Sequence, residues 1–310
     1  MSRNLALNLV SVPADERGFA LVLHAGAGGR VEELSLEQQQ NYGAALEAAY
    51  RAGEDVLAAG GSALDAVCAT VVVLEDNPLF NAGRGAALTA TGQAELDASV
   101  MTGDGRAGAI AASRHARNPV RVARTVMERT DHVLLVSPDE QLLTEWELET
   151  VDPGYFVTEA RQRQLANVRD RELAASRHGT VGAVAVDGNG RIAAATSTGG
   201  MVNQSDGRVG DTPIIGAGTF ARDGVAGVSC TGEGEAFIRG AVAHDIVSRV
   251  KYLELDLPTA VSGTVETELT AVDASGGVIA VDGAGSVVIA HNSPAMFAAY
   301  RDGDRIVTLT

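Results

Sequence analysis

The chain has 310 residues, and its 40 Asp and Glu against 24 Lys and Arg give a net charge of −16. That balance excludes a nucleic-acid binder, since no basic stripe is available to neutralise phosphates. Apolar residues make up 45% and charged residues 21% of a chain ordinary for a globular protein, and no apolar run approaches the ~18 residues of a membrane helix.

In chain order, the stretch before Phe19 holds a short, Asn-interrupted apolar segment and reads as a frayed tail rather than a signal peptide. Phe19 to His24 reads as a buried strand running into the turn "HAGAGGR". That turn lacks the G-x-G-x-x-G spacing and a following Lys-Ser/Thr, so it is not a phosphate cradle. A helix starts at a Ser35 N-cap and stops at Gly60-Gly61. "SALDAVCATVVVLEDNP" is a second helix, apolar on most faces and ended by Pro78. "ELDASVMTGDGRAGAIAAS" reads as two strands joined across Asp104-Gly105, followed by helices near 119–129 and 138–147 with strand "HVLLVS" between them. Residues 160–179 carry five arginines and little apolar periodicity, which suggests either a solvated helix or a mobile linker. Beyond it, "TVGAVAVD", "RIAAATS" and "DGVAGVS" read as strands. "GEAFIRGAVAHDIVSRVKYLEL" reads as one helix, and "GGVIAVDGAGSVVIAHN" as a hairpin. Neither half, 1–179 or 180–310, shows strict βαβ alternation, so sheets packed together with helices outside are expected.

Cys68 and Cys230 form neither a metal spacing nor a disulfide framework, which fits a reducing cytoplasm. The histidines show no zinc-binding pair, and His24 reads as a structural hydrogen-bonder. Thr180 can be read as a β-branched residue opening a strand, or as a nucleophile not yet free. Downstream lie three Gly-embedded clusters of hydroxyls and charges: "TSTGG" at 196–200, "GRVGDTPIIGAG" at 207–218 and "CTGEGE" at 230–235. Such loops bring backbone N–H groups close to a ligand. Thr231-Gly232, ahead of a helix, suits an oxyanion. Arg208 and Asp211 are either a surface ion pair or clamps for the two charged ends of an amino acid.

These blocks, with "HGTVGAVAVD", "LEDNPLFNAGRGAALTATGQAELDASVM" and "SGGVIAVD", resemble the plant-type asparaginase and isoaspartyl aminopeptidase family of N-terminal-nucleophile hydrolases, in order from about residue 19 to 300. The resemblance implies an α+β protein, an αββα four-layer sandwich made as an inactive precursor that cuts itself between Gly179 and Thr180. The fragments 1–179 (linker about 160–179) and 180–310 then form one domain. A threonine hydroxyl needs a base, and the freed α-amine, with a pKa near ~7.7–8.0, supplies it in the same residue.

By position, Thr180 resembles the nucleophile and Thr198 the threonine hydrogen-bonded to it. Arg208 and Asp211 resemble the carboxylate and amine clamps, Thr231 and Gly232 the oxyanion hole, Gly234 a backbone contact to the amine, and Asn81 an asparagine lining the site. Loop 74–84 resembles a structural sodium loop that binds through the main-chain carbonyls of Leu74, Glu75, Asn77, Phe80, Ala82 and Arg84. No cofactor is implied for catalysis. The expected assembly is a dimer of cut protomers, (αβ)2, in the cytoplasm, with neither nucleic acid nor membrane as partner. Expected substrates are L-asparagine and β-aspartyl dipeptides. Glycosylasparaginase activity, or a non-cleaving amino-acid binder, is the alternative. Two departures stand out: Ala25 where relatives have glycine, and Ser293-Pro294-Ala295 where they often have Thr-Glu-Gly.

Overall fold

A computed structural model describes residues 6–28, 34–171 and 179–310. Residues 1–5 of the expected tail, 29–33 at the end of the Gly-rich turn, and 172–178 of the expected linker lie outside the described residues.

Strand β1 (Asn8–Val12) comes first, then β2 (Ala20–Ala27). Helix α1 (Leu36–Ala58) starts at Ser35 through a complete capping box with Gln38, and α2 (Ala63–Asp76) starts at a Ser62 cap. The hairpin β3 (Leu96–Thr102) and β4 (Ala107–Ser113) is followed by α3 (Pro119–Arg129), β5 (Leu134–Val136) and α4 (Glu140–Glu145). Helix α5 (Glu159–Arg171) precedes β6 (Val181–Val186), β7 (Ile192–Thr198), β8 (Thr219–Arg222) and β9 (Ala226–Gly232). Helices α6 (Gly234–Gly240), α7 (Val242–Leu253) and α8 (Leu257–Thr264) lead to β10 (Gly276–Asp282), β11 (Val287–His291), β12 (Met296–Asp302) and β13 (Arg305–Leu309).

The fold is mixed α and β, with two sheets. One has five strands in the order β1-β11-β10-β9-β8, and the other eight in the order β13-β12-β2-β6-β7-β3-β4-β5. Among the strands of the described residues, only β4 and β5 pair in parallel. Because side chains alternate along a strand, the central strands of the larger sheet feed two cores. Val22, Val184, Val186 and Ala194 join Val228, Val278 and Ala280 of the smaller sheet. Leu21, Leu23, Val181, Ala183, Ala185 and Ala195 instead pack with Leu46, Val67 and Val71 of α1 and α2 and Val122 and Val126 of α3.

Two expectations are corrected, and one open pair of readings is decided as far as Arg171. The "tail" contains β1, which pairs with β11 as an edge strand from Asn8↔His291 to Val12↔Val287. The helix expected from Gly234 breaks at Ala241, whose φ is +44°. Loop carbonyls cause the break, because Ala243 N and His244 N donate to Ala217 O and Gly216 O. The arginine-rich segment is helical as far as Arg171. It docks through buried Leu165 and Val168 beside Ala86, Leu88 and Phe156, and Arg161 Nε donates to Gly85 O. Its two apolar anchors, three residues apart, are enough for one helical face.

Candidate active site

Strand parity decides which side chains meet. Thr180, Gly182 and Val184 share one face of the β6 segment, and Thr198, Thr196 and Ala194 share the matching face of β7. Thr180 and Thr198 are therefore neighbours at the ends of adjacent strands, and Asp97 on β3 is the direct partner of Thr198. Thr180 Oγ1 donates to Thr198 Oγ1 at 3.3 Å, and Thr198 Oγ1 donates to the Gly179 carbonyl at 2.9 Å. Asn81 Nδ2 donates to that same carbonyl at 2.7 Å and to Gly200 O at 2.7 Å, while its Oδ1 accepts from Ala87 N. The peptide carbonyl ahead of Thr180 is thus held by two donors. Gly26, with φ +115°, lies against it: a Cβ there would come within 3.2 Å of Gly179 Cα. The left-handed backbone falls on Gly26, whereas Ala25 sits in β2 without a positive φ, so the alanine departure costs nothing there.

A small cleft of about 230 Å3, open mouth included, is lined by Thr180, Thr198, Met201, Arg208, Asp211 and Gly232, among others. Arg208 forms no ion pair with Asp211. Its Nε and Nη2 donate to the two carboxylate oxygens of Glu235, each at 3.0 Å. Asp211 is buried, and its Oδ2 has no partner among the described residues. Burial pushes its pKa up to about 7, against the opposing pull of its own backbone and of Arg208. Thr231 Oγ1 is also buried without a partner among the described residues. Unpaired buried polar atoms are costly in a folded chain; among the described residues these two share that state with Thr212 Oγ1, next to Asp211, and with four buried atoms elsewhere. Gly232, with φ +145°, packs where a Cβ would strike Gly276 Cα at 2.5 Å. Gly234 opens α6 between Asp211 and Arg208, where a Cβ would lie 2.8 Å from Asp211 Oδ1 and 3.0 Å from Arg208 Nη2.

The larger cavity, about 610 Å3, lies at the other end of β6 and β7 around Asp187, Arg191 and Asp223. Those charges satisfy one another and nearby backbone: Asp187 accepts from Ala63, Asn189 and Arg191 N, and Asp223 from Arg191 and Ile192. Among the described residues, no buried side-chain atom lining that cavity lacks a partner.

The loop after α2 folds back tightly. Gly83 has φ +50° and would place a Cβ 2.4 Å from Glu75 O, and a Cβ on Gly85 would meet Phe80 O at 2.1 Å. The carbonyls of Leu74, Asn77 and Ala82 each accept one main-chain N–H, which leaves each a second lone pair. The Glu75 side chain faces away from this use: its Oε1 accepts from Ser197 Oγ and Val120 N. Ser293 and Ala295 lie outside the cleft, where Ser293 Oγ and Gly28 N both donate to Ala295 O.

Three participants were missed in the sequence. Asp97 is buried beside Thr198, with its pKa raised to about 7 by burial. Glu235 and Gln204 face Arg208. The available signal was an acid at every second position of "ELD" in an otherwise apolar strand. For Glu235 there was none, because its partner lies across a turn.

A family model described as asparaginase matches residues 17–310. The isoaspartyl peptidase of Escherichia coli is 43% identical over 294 residues, covering 90% of this chain and 92% of its own. The isoaspartyl peptidase/L-asparaginase of Xenopus laevis is 40% identical over 271 residues, 86% of either chain. The plant-type L-asparaginase of Pyrococcus horikoshii is 40% identical over 306 residues, covering 92% and 97%.

Proposed function

The chain belongs to the asparaginase family, and from that premise we propose that it is a self-cleaving hydrolase of L-asparagine and β-aspartyl dipeptides. The observation that carries this reading is the Thr180–Thr198–Gly179 arrangement: one hydroxyl joins the nucleophile to the carbonyl it would attack. The two sheets and their helix-bearing faces are read as the αββα sandwich of N-terminal-nucleophile hydrolases.

In the first stage, Thr180 Oγ attacks the Gly179 carbonyl carbon. Its proton passes toward Thr198 as the Thr198 proton moves to the developing alkoxide. Asn81 Nδ2 supports that oxygen, as an oxyanion-hole donor does. The C–N bond then breaks, its nitrogen takes up the proton, and the result is an ester. Water hydrolyses the ester to a Gly179 carboxylate and a free Thr180.

In the second stage, Arg208 holds the substrate α-carboxylate and Asp211 its α-ammonium, beside the Gly234 main chain. Arg208 presents the end not taken by Glu235, or Glu235 gives way. The Thr180 amine accepts the Oγ proton as Oγ attacks the side-chain amide. Thr231 Oγ and Gly232 N stabilise the oxyanion, and ammonia or an amino acid leaves with the proton from the amine. Water then releases L-aspartate.

We place a sodium ion in loop 74–84. Main-chain carbonyls are apt donors for a hard cation, and exchange of Na+ for tetramethylammonium should lower Tm by about 2–4 °C. Among the described residues no helix is long and apolar enough to cross a membrane, and we assign the protein to the cytoplasm as an (αβ)2 dimer of fragments 1–179 and 180–310.

The test is a time course of purified protein on a denaturing gel, with N-terminal sequencing and assays on asparagine and β-Asp-Leu. Two fragments, the second beginning at Thr180, and turnover of both substrates are expected. A lasting single band that binds aspartate without turnover would make the protein a binder.

A further inference from the structure

A second polar row lies two residues deeper than Thr180 and Thr198. His24, Gly182, Thr196 and Ser99 are direct partners across β2, β6, β7 and β3, so they share one face of the larger sheet. From the smaller sheet come Ser229 and Thr219, opposite each other on β9 and β8. Apart from the glycine, all are buried polar side chains. His24 Nε2 meets Ser229 Oγ at 2.9 Å, Ser229 Oγ meets Thr196 Oγ1 at 2.7 Å, and Thr196 Oγ1 meets Thr219 Oγ1 at 2.5 Å. Ser99 Oγ lies 2.8 Å from Thr219 Oγ1. Gly182 makes room for the junction: a Cβ there would sit 2.1 Å from Ser229 Oγ and 2.6 Å from His24 Nε2.

An interface otherwise built of apolar side chains gains nothing from four buried hydroxyls unless they hold something, since each costs desolvation. Two of them reach out of the cluster to one loop. Ser99 Oγ donates to Thr212 O at 2.6 Å, and Thr196 Oγ1 donates to Gly218 O at 3.4 Å. Thr212 follows Asp211 directly, and Gly218 N donates back to Asp211 O at 3.2 Å. The cluster therefore holds the loop at Thr212, directly after the buried carboxylate, and at Gly218, which bonds back to it. At its other end Thr196 stands two residues from Thr198 on the same strand face, about 6.6 Å along β7.

We propose that Ser99, Thr196, Thr219 and Ser229 are positioning residues that fix the distance from Asp211 to Thr180, and so set selectivity for a substrate with one methylene between Cα and the scissile amide. The inference rests on the proposed function. Asparagine and glutamine differ by one methylene, which displaces the carbonyl by about a bond length, and a ~1 Å misplacement can cost ~10²-fold. A rigid bridge between amine clamp and nucleophile enforces that penalty, and a slack bridge relaxes it.

The experiment measures kcat/KM for L-asparagine and L-glutamine, with Tm, on matured wild type, Thr196→Val, Thr196→Ser and Ser99→Ala. The asparagine-to-glutamine ratio is expected to fall about tenfold in Thr196→Val and Ser99→Ala, and Thr196→Ser, which keeps the hydroxyl, restores it. Ser99 is remote from the cut bond, so Ser99→Ala decides the matter if Thr196→Val fails to mature. A lower Tm with the wild-type ratio retained would make the cluster merely structural and overturn the inference alone. A wild type that turns over neither asparagine nor β-Asp-Leu would overturn the proposed function, and the inference with it.

Discussion

Around the Gly179 carbonyl, the donors are all in place: Thr198 and Asn81 bond it, and Asn81 is itself held by Gly200 O and Ala87 N. Asp211, which lines the same cleft, and Thr231, next to the cleft residue Gly232, each keep a buried oxygen without a partner among the described residues. The first region rides on the adjacent ends of β6 and β7, and the second on the loop after β7 and the end of β9. The contrast teaches what each half is built to receive. On the proposed function, the strand-borne half is complete with the chain's own peptide bond as its substrate. On the same proposal, the loop-borne half is complete only when an outside ammonium and oxyanion enter.

The sharpest test of that contrast removes the group both halves serve. Thr180→Ala should stay a single chain on a denaturing gel and lose at least about 10³-fold in asparagine turnover. Fragments beginning at residue 180 in this variant would show that cutting does not use the hydroxyl. Asn81→Ala attacks the strand-borne half alone, and its self-cleavage should slow by ~10²-fold in a gel time course, as expected for loss of one oxyanion donor. Arg208→Lys attacks the clamp. An ammonium cannot reproduce the fork, so kcat/KM for asparagine should fall about 30-fold by misplacement while fragments still form. An equal loss of cutting and turnover would erase the division between the halves.

The mildest test is pH. Asp211 grips an ammonium only when ionised, and its pKa is raised to about 7 by burial. Protonation as pH falls through 7 should therefore weaken substrate capture, with kcat/KM dropping about fivefold from pH 7 to pH 6 on this account. In Asp211→Asn that limb should vanish from the profile. Its persistence would assign the limb to Asp97 or the Thr180 amine.

Much of the site could be read along the chain because its residues come with local punctuation. Thr198, Arg208, Asp211, Thr231 and Gly234 sit among glycines, and glycine at a strand end or turn announces close approach. Helices α1 and α2 were equally plain, since Ser35 and Ser62 cap them and the apolar period runs between. Residues without such local marks were misread. Asn8–Val12 forms a strand only because the edge of β11 offers it hydrogen bonds. Ala241 takes a left-handed turn because Gly216 and Ala217 carbonyls capture the next helix start.

The sequence by itself determined the family and singled out Gly179-Thr180, Arg208 and Asp211 as the residues to test, since motif order and spacing are properties of a single line of residues. Only the tertiary structure decided that Arg208 pairs with Glu235, that Asp97 stands beside Thr198, and that His24, Thr196, Ser99, Thr219 and Ser229 form one buried cluster. The physical reason is register. A hydroxyl in an apolar strand looks like a small β-former until the pairing of strands and the approach of a second sheet specify which other hydroxyl faces it.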